Sequence, residues 1–273
     1  MLVFQPVNGD AHGVADGLTE VLAAVAGQIC FSVLGALGVS TGTPTPHTLR
    51  GPMVNKVMAL LLLRAGQVVE VDTFVDELWE ERPPRWALST VRTHVYHLRR
   101  QLDEVLDLPS QQLLRTSRSG YLLDIDPEQL DATRFTRLFG ESERLLARNR
   151  PDEAVDACRE GLALWQGRAL ATVRPGRVLT GHVQYLEELR VRAHQVRVEA
   201  EMRRGRHTHL VPELRGLVAA HPFNEWFHHS LIESLRESGR RGEALSAFQA
   251  LRTMLRDELG LEPADGASWR VPA

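Results

Sequence analysis

The chain has 273 residues, room for about two ordinary domains, and its 43% apolar and 25% charged fractions exclude wholesale disorder and collagen-like repeats. No apolar run reaches the ~18–20 residues that cross a bilayer, so no membrane partner is expected. Cys30 and Cys158 lie far apart with no C-x-x-C, which excludes a disulfide scaffold and a structural zinc site. The first thirty residues lack the basic start and cleavage site of a secretory signal, so the expected location is cytoplasmic and nucleoid-associated.

In chain order, residues 1–30 show little pattern and read as a loosely ordered extension, with 18–29 the one stretch able to form a short helix. Residues 31–40 (FSVLGALGVS) are strand-like with glycine breaks, followed by the turn-rich TGTPTPHTL. VNKVMALLLLRAG is an apolar helix of about three turns, closed by Gly66. VVEV is a short strand. Asp72 or Thr73 is the expected cap of TFVDELWEE, which Pro83-Pro84 ends.

The next helix starts near Trp86. Leu88, Val91, Val95, Leu98 and Leu102 recur at 3-4-3-4 spacing and make its buried stripe. The opposite side carries Ser89, Thr90, Thr93, His97 and Arg100, flanked by Arg92, His94, Tyr96 and Arg99. Although the net charge is only −3, the stretch 82–102 holds five arginines and no Asp or Glu. LLRTSRSGYLLDI then reads as a β-hairpin with a basic tip at Arg118. Three helices followed by a hairpin outline a winged helix, in which the third helix enters the major groove of double-stranded DNA and the hairpin reaches the minor groove.

After Asp131 the strand signals stop. Helical text occupies 133–148, 151–165, 182–204, 207–220, 224–237 and 241–258, with a break at 168–181. Gly205-Arg206 and Gly239-Arg240 are 34 residues apart, the tetratricopeptide period. Ala244 and Phe248 keep the A-x-x-x-F spacing of such a repeat, and Ala154 with Cys158 echoes it. The fold class is therefore mainly α: an N-terminal winged helix-turn-helix with a small β-sheet and C-terminal hairpin, then an all-α tetratricopeptide-like repeat domain. The expected boundaries are 1–30 extension, 31–126 winged helix, 127–263 helical repeat and 264–273 tail.

These halves, in this order, resemble the Streptomyces antibiotic regulatory protein family, which joins an OmpR-like winged helix to a bacterial transcriptional activation domain. The phrases FSVLGALGV, ALLLLRAG, VDELWEERPP, STVRTHVYHLRRQL and RTSRSGYLLDIDPEQLDATRF carry the first part. GLALWQGRAL, LEELRVRAHQ, SGRRGEALSAFQALR and DELGLEP carry the second. The chain departs from the family where a basic G-P-[KR]-Q-R run becomes Gly51-Pro52-Met53-Val54-Asn55, leaving Lys56 as the expected nearby cation. It departs again after DELGLEP, where ADGASWRVPA replaces a last helix.

The resemblance implies a transcriptional activator of a secondary-metabolite, often antibiotic, gene cluster. It binds promoter direct repeats as a head-to-tail homodimer and recruits the RNA polymerase holoenzyme through the sigma factor and other subunits. The residues expected at DNA are Arg92, Thr93, His94, Tyr96, His97, Arg99 and Arg100 of the helix, with Thr116 and Arg118 of the hairpin. Arginine suits that work because its fork fits guanine O6 and N7, or a phosphate, with two bonds. Set against this are a solvated helix face that happens to lack acids, and an ordinary turn arginine. Trp79 reads as core. Trp86 reads equally as core cap or as a contact to polymerase or the DNA backbone. Gly120 and Tyr121 belong to the fold, as a flexible turn and a packing ring.

In the repeat half, Arg190, Arg192, Arg197 and Arg203 with Glu187, Glu188, Glu199 and Glu201 read as solvated i,i+4 pairs. Phe223, Trp226 and Phe227 read as interhelix packing. Gly38–Gly42 matches G-x-S-x-G, but a Thr-Pro turn follows where the nucleophile elbow needs a helix. No catalytic residue, metal or cofactor is expected. The rival readings are a helical-repeat interaction protein with weak or no DNA binding, and a ligand sensor using the repeat's concave face.

Overall fold

The computed structural model describes residues 29–42, 46–80, 82–107 and 109–264. They fall into two compact units. The first comprises the residues up to Thr136 together with 163–187; the second holds 137–162 and those from Glu188 onward.

The first unit opens with an antiparallel hairpin, β1 (Ile29–Ser32) and β2 (Gly38–Thr41), in register Phe31↔Val39. The strand starts two residues before the expected boundary because Ile29 is fully buried. The rest of the expected extension and its helix lie outside the described residues. Ser40 of the G-x-S-x-G text sits in β2 opposite Cys30, and among the described residues no helix follows before residue 52.

Helix α1 (Pro52–Leu63) is buried almost all round, with Val57, Met58, Leu60, Leu61 and Leu62 at 0% exposure. It ends at Leu63, and Gly66 turns the chain at φ 76° into β3 (Val68–Glu70). Helix α2 (Val71–Trp79) begins earlier than expected, with Glu70 as its cap residue and no side-chain cap bond. Asp72 lies inside the first turn, where its charge favours the helix dipole. It also stops before the prolines, at Glu80 with φ 55°.

Helix α3 (Ala87–Leu106) buries Ala87, Val91, Val95, Leu98, Leu102 and Leu106. Leu88, expected in that stripe, is 53% exposed; Ala87 takes its place, which shifts the start of the stripe by one residue. Strands β4 (Leu114–Thr116) and β5 (Gly120–Leu123) form the hairpin, and β5 lies between β3 and β4 in a three-stranded antiparallel sheet. Gly120 is not a flexible turn. A Cβ there would stand 1.9 Å from the Val69 carbonyl oxygen, so only glycine lets β5 cross β3.

The same unit takes in chain that the sequence assigned to the second half. Asp131, at the start of α4 (Asp131–Ala147), accepts from the backbone N–H groups of Val33 and Leu34 at 2.9–3.0 Å. The expected break around 168–181 is a latch. Gln166 N donates to Leu34 O, Leu170 N to Val33 O and Ala171 N to Gly35 O, each at 2.8 Å, while Trp165, Ala169, Leu170 and Val173 are buried.

At its far end begins α6 (Arg177–Arg203), and the side chain of Glu77 meets it. That carboxylate is 1% exposed and accepts from Gly176 N at 2.5 Å and Leu179 N at 2.9 Å. Lys56 lies 3.9 Å from the carboxylate and bonds the Glu77 carbonyl oxygen at 3.2 Å.

The second unit is helical. It contains the later part of α4, most of α5 (Pro151–Ala163), the later part of α6, then α7 (His207–Ala220), α8 (Glu225–Glu237) and α9 (Arg241–Leu259). Gly205 and Gly239, one repeat apart, both turn the chain in the left-handed region at φ 70° and 76°. Val198, Leu210, Leu214, Phe227, Leu231 and Leu235 form its main core.

Its charges bear out the solvated i,i+4 reading for the exposed pair Arg203–Glu199 and correct it for Arg197 and Glu201. Arg197 is buried and bonded to Glu213. Glu201, 4% exposed, gathers Arg159 at 2.8 Å, Arg204 at 3.1 Å and Arg206 at 3.6 Å. Arg197 and Glu201 are themselves buried, where a paired guanidinium is the usual way to keep a carboxylate ionised. Of the aromatic trio, Phe227 is buried against Trp226, but Phe223 is 54% exposed.

Candidate DNA interface

Helix α3 sorts its side chains by the contrast between its stripe and its polar face. Val91, Val95, Leu98 and Leu102 are at most 1% exposed, so the opposite face must point outward. Arg92, Thr93, Tyr96, His97 and Arg100 are exposed there; Thr90, His94 and Arg99 are half-buried. Thr93 Oγ1 donates back to Ser89 O at 3.1 Å, so toward a partner it offers a hydrogen-bond acceptor and a methyl group. Burial, with His97 beside it, holds His94 below the usual histidine range, so it is a neutral imidazole at pH 7. The Tyr96 and His97 rings stand edge to face at 5.6 Å. Arg100 pairs with Glu104 at 3.7 Å, both more than 60% exposed.

Arg99 does something the sequence did not suggest. Its guanidinium donates to Leu114 O at 2.7 and 3.3 Å and to Thr116 Oγ1 at 2.9 Å, and it lies over the Tyr121 ring. It braces α3 to the hairpin. Thr116, accepting from Arg99, keeps its own proton to donate. Tyr121 packs edge-on against Phe74 at 6.0 Å, and Arg118 stands exposed at the hairpin tip. Among the described residues, neither Arg92 nor Arg118 has an ion-pair partner.

For Trp86 one of its two open readings falls, and for Lys56 the expectation is corrected. Trp86 is 67% exposed at the start of α3, so it does not cap the core, although its carbonyl oxygen receives the Ser89 and Thr90 hydroxyls. Lys56 is folded inside against Glu77 and is no surface cation. The nearby surface cation is Arg50, passed over because it precedes the Gly-Pro phrase rather than following it. Trp79 is half-buried. Among the described residues no three of His, Cys, Asp and Glu come together as a metal site.

An acid-poor helix face braced to a basic hairpin is the geometry of a DNA-reading winged helix. The comparisons agree. Residues 50–123 match the family model for the C-terminal domain of transcriptional regulatory proteins, and residues 130–267 match the bacterial transcriptional activator domain. The regulatory protein DnrI of Streptomyces peucetius is 40% identical over 227 residues, covering 82% of this chain and 83% of DnrI.

This chain belongs to the Streptomyces antibiotic regulatory protein family. The transcriptional regulator RedD of Streptomyces coelicolor is 34% identical across 87% of this chain and 67% of its own length. The regulatory protein AfsR of Streptomyces griseus is 32% identical across 94% of this chain, which spans only 25% of AfsR. Among solved structures, Mycobacterium tuberculosis EmbR in complex with a low-affinity phosphopeptide superimposes with a TM-score of 0.80 at 29% identity, over 86% of this chain and 62% of that one. Like other members of the family, the chain is a DNA-binding transcriptional activator, and these relatives carry the names of regulators. Among the described residues no helix is long and apolar enough to cross a membrane.

Proposed function

We propose that the chain activates transcription of a secondary-metabolite, antibiotic-type gene cluster from the cytoplasm, by binding direct repeats in its promoters. Two copies sit head to tail on the DNA. The observation that carries this is the outward face of α3, where Arg92, Thr93, Tyr96, His97 and Arg100 are exposed within a stretch, 82–102, that has no acid.

In this reading α3 lies in the major groove. Arg92 and Arg100 address guanine edges or phosphates, while Thr93 and His97 face bases; the Thr93 methyl suits a thymine methyl. His94, neutral and half-buried, and Tyr96 border the sugar–phosphate wall. Arg118 enters the minor groove, where a narrow width deepens the negative potential. Thr116 donates to a phosphate. Arg99 acts through the brace, holding the hairpin at a fixed offset from α3, so one protein geometry fits one spacing of major-groove and minor-groove contacts. RNA polymerase, with its sigma factor, is the partner of the bound activator, and the exposed Trp86 beside Leu88 offers it an apolar contact.

The test is binding of the purified chain to promoter fragments from its own gene neighbourhood, against scrambled duplexes, at two salt concentrations. A protected direct repeat is expected, with affinity falling steeply as salt rises because bound counterions are released. Arg100→Ala and Arg118→Ala should each weaken operator binding by on the order of 1–3 kcal/mol and relax the sequence preference. Equal, weak binding to both duplexes, unmoved by these substitutions, returns the function to the helical-repeat half as a protein-interaction module.

A further inference from the structure

The fold puts an exposed cation, Arg50, immediately before α1. Arg50 is the last residue before Gly51, whose φ of 97° turns the chain into α1. Its backbone is clamped to the recognition helix at both ends: its N–H donates to Gln101 Oε1 at 2.5 Å, and its carbonyl accepts from Gln101 Nε2 at 3.0 Å. With both backbone groups taken by one amide, the position of the Arg50 Cα beside α3 is set. The side chain is exposed and, among the described residues, makes no ion pair or hydrogen bond.

Opposite it on α3 stand His97, Arg100, Gln101 and Glu104, spaced i, i+3, i+4, i+7 on one stripe. With Arg50 and Val54 they line a surface notch of about 250 Å³. Two guanidiniums and an imidazole face into it, against the single carboxylate of Glu104. That carboxylate is tied to Arg100 only by an exposed pair, which contributes little and yields to a stronger anion.

We infer that this notch binds one phosphate of the DNA backbone through the guanidinium of Arg50, its anchor. The inference rests on the DNA reading above and adds a contact outside the helix and hairpin that carry it. A phosphate fits because the notch offers fork-shaped donors, which match two phosphate oxygens at once. It lies toward the C-terminal half of α3, whereas base reading falls to the earlier part of a recognition helix. Arg50 therefore sets register and affinity, not sequence preference.

The experiment measures binding of the full chain, with Arg50→Ala and Arg50→Lys variants, to the promoter duplex that the wild type protects and to a scrambled duplex of equal length, across a salt series. Only the backbone of Arg50 serves the fold, so both variants should melt like the wild type. Arg50→Ala should lose roughly tenfold in affinity on both duplexes alike, and its plot of log affinity against log salt should be shallower by about 0.9. Arg50→Lys, keeping the charge but not the fork, should restore the slope and part of the affinity. Unchanged affinity and slope for Arg50→Ala would overturn the anchor, as would a loss seen on the promoter duplex alone, which would make Arg50 a base reader. A wild-type chain without salt-dependent binding would sink the DNA reading itself, and this inference with it.

Discussion

Glu77 shows how little of a residue's task its own neighbourhood in sequence reveals. Within VDELWEE it reads as one more surface acid, yet it is buried, and its carboxylate holds the first N–H groups of a helix a hundred residues further on. Replacing it by alanine orphans those donors and leaves Lys56 without its counter-charge, a loss of about 3–5 kcal/mol that urea unfolding will register. His194 supplies a pH test. Burial first, then Arg197, Arg190 and His221, push its pKa down to about 4 from 6.5. A depressed histidine stabilises the folded state above its unfolded pKa, and that contribution is lost as pH falls from 6.5 toward 4. The urea midpoint of the wild type should therefore fall more between pH 7 and pH 4 than that of His194→Gln; equal falls would refute the shift. Glu77 was not legible beforehand because its partners come from distant text, and His194 was not because its burial is set by packing. The exposed arginines of α3 were legible, because a run without acids is visible in the sequence itself.

At the scale of elements, periodicity foretold α3 and its outward face but placed the start of its stripe at Leu88 instead of Ala87. A 3-4 pattern admits either neighbour as its first member, and packing decides. The hairpin was foretold too, though not what fixes its position. Two features do so: the close crossing at Gly120, and the Arg99 bonds to Leu114 and Thr116. Gly120→Ala drives a methyl into the Val69 carbonyl, so β5 must shift away from β3 at a cost of several kcal/mol, and the melting temperature should drop by about 10 °C or more. Arg99→Met tests the brace. It keeps much of the side chain's bulk but none of its donors, so fold stability should change little. Affinity should fall most on operators that need the Arg118 contact, with little further loss when Arg118→Ala is added. Additive losses in that double-mutant cycle would show that Arg99 and Arg118 act independently.

For the whole molecule, the two kinds of fold were legible in the sequence, whereas the bonds that tie Asp131 and residues 166–171 into the first unit were not. Composition changes at Asp131, but backbone hydrogen bonds do not follow composition: Leu34, Val33 and Gly35 find their partners in Asp131 and in residues 166–171. A winged-helix fragment ending at Asp126 lacks those partners and the donors that Glu77 satisfies. It should unfold at lower urea than the same residues do in the full chain, as followed by hydrogen exchange at Val33 and Leu34.

The pairing of Lys56 with Glu77 reaches further than stability. The chain has 31 arginines and this one lysine, whose side chain is 16% exposed and folded against Glu77. The cationic side chains at that face are guanidiniums and imidazoles, with no primary amine among them. Acetylation, which silences cationic surfaces elsewhere by capping amines, finds no substrate there. Treating the folded protein with an amine-acylating reagent should leave Lys56 unlabelled in the mass spectrum until denaturant is added. If this face binds DNA as proposed, lysine acetylation has no amine on it through which to weaken that binding.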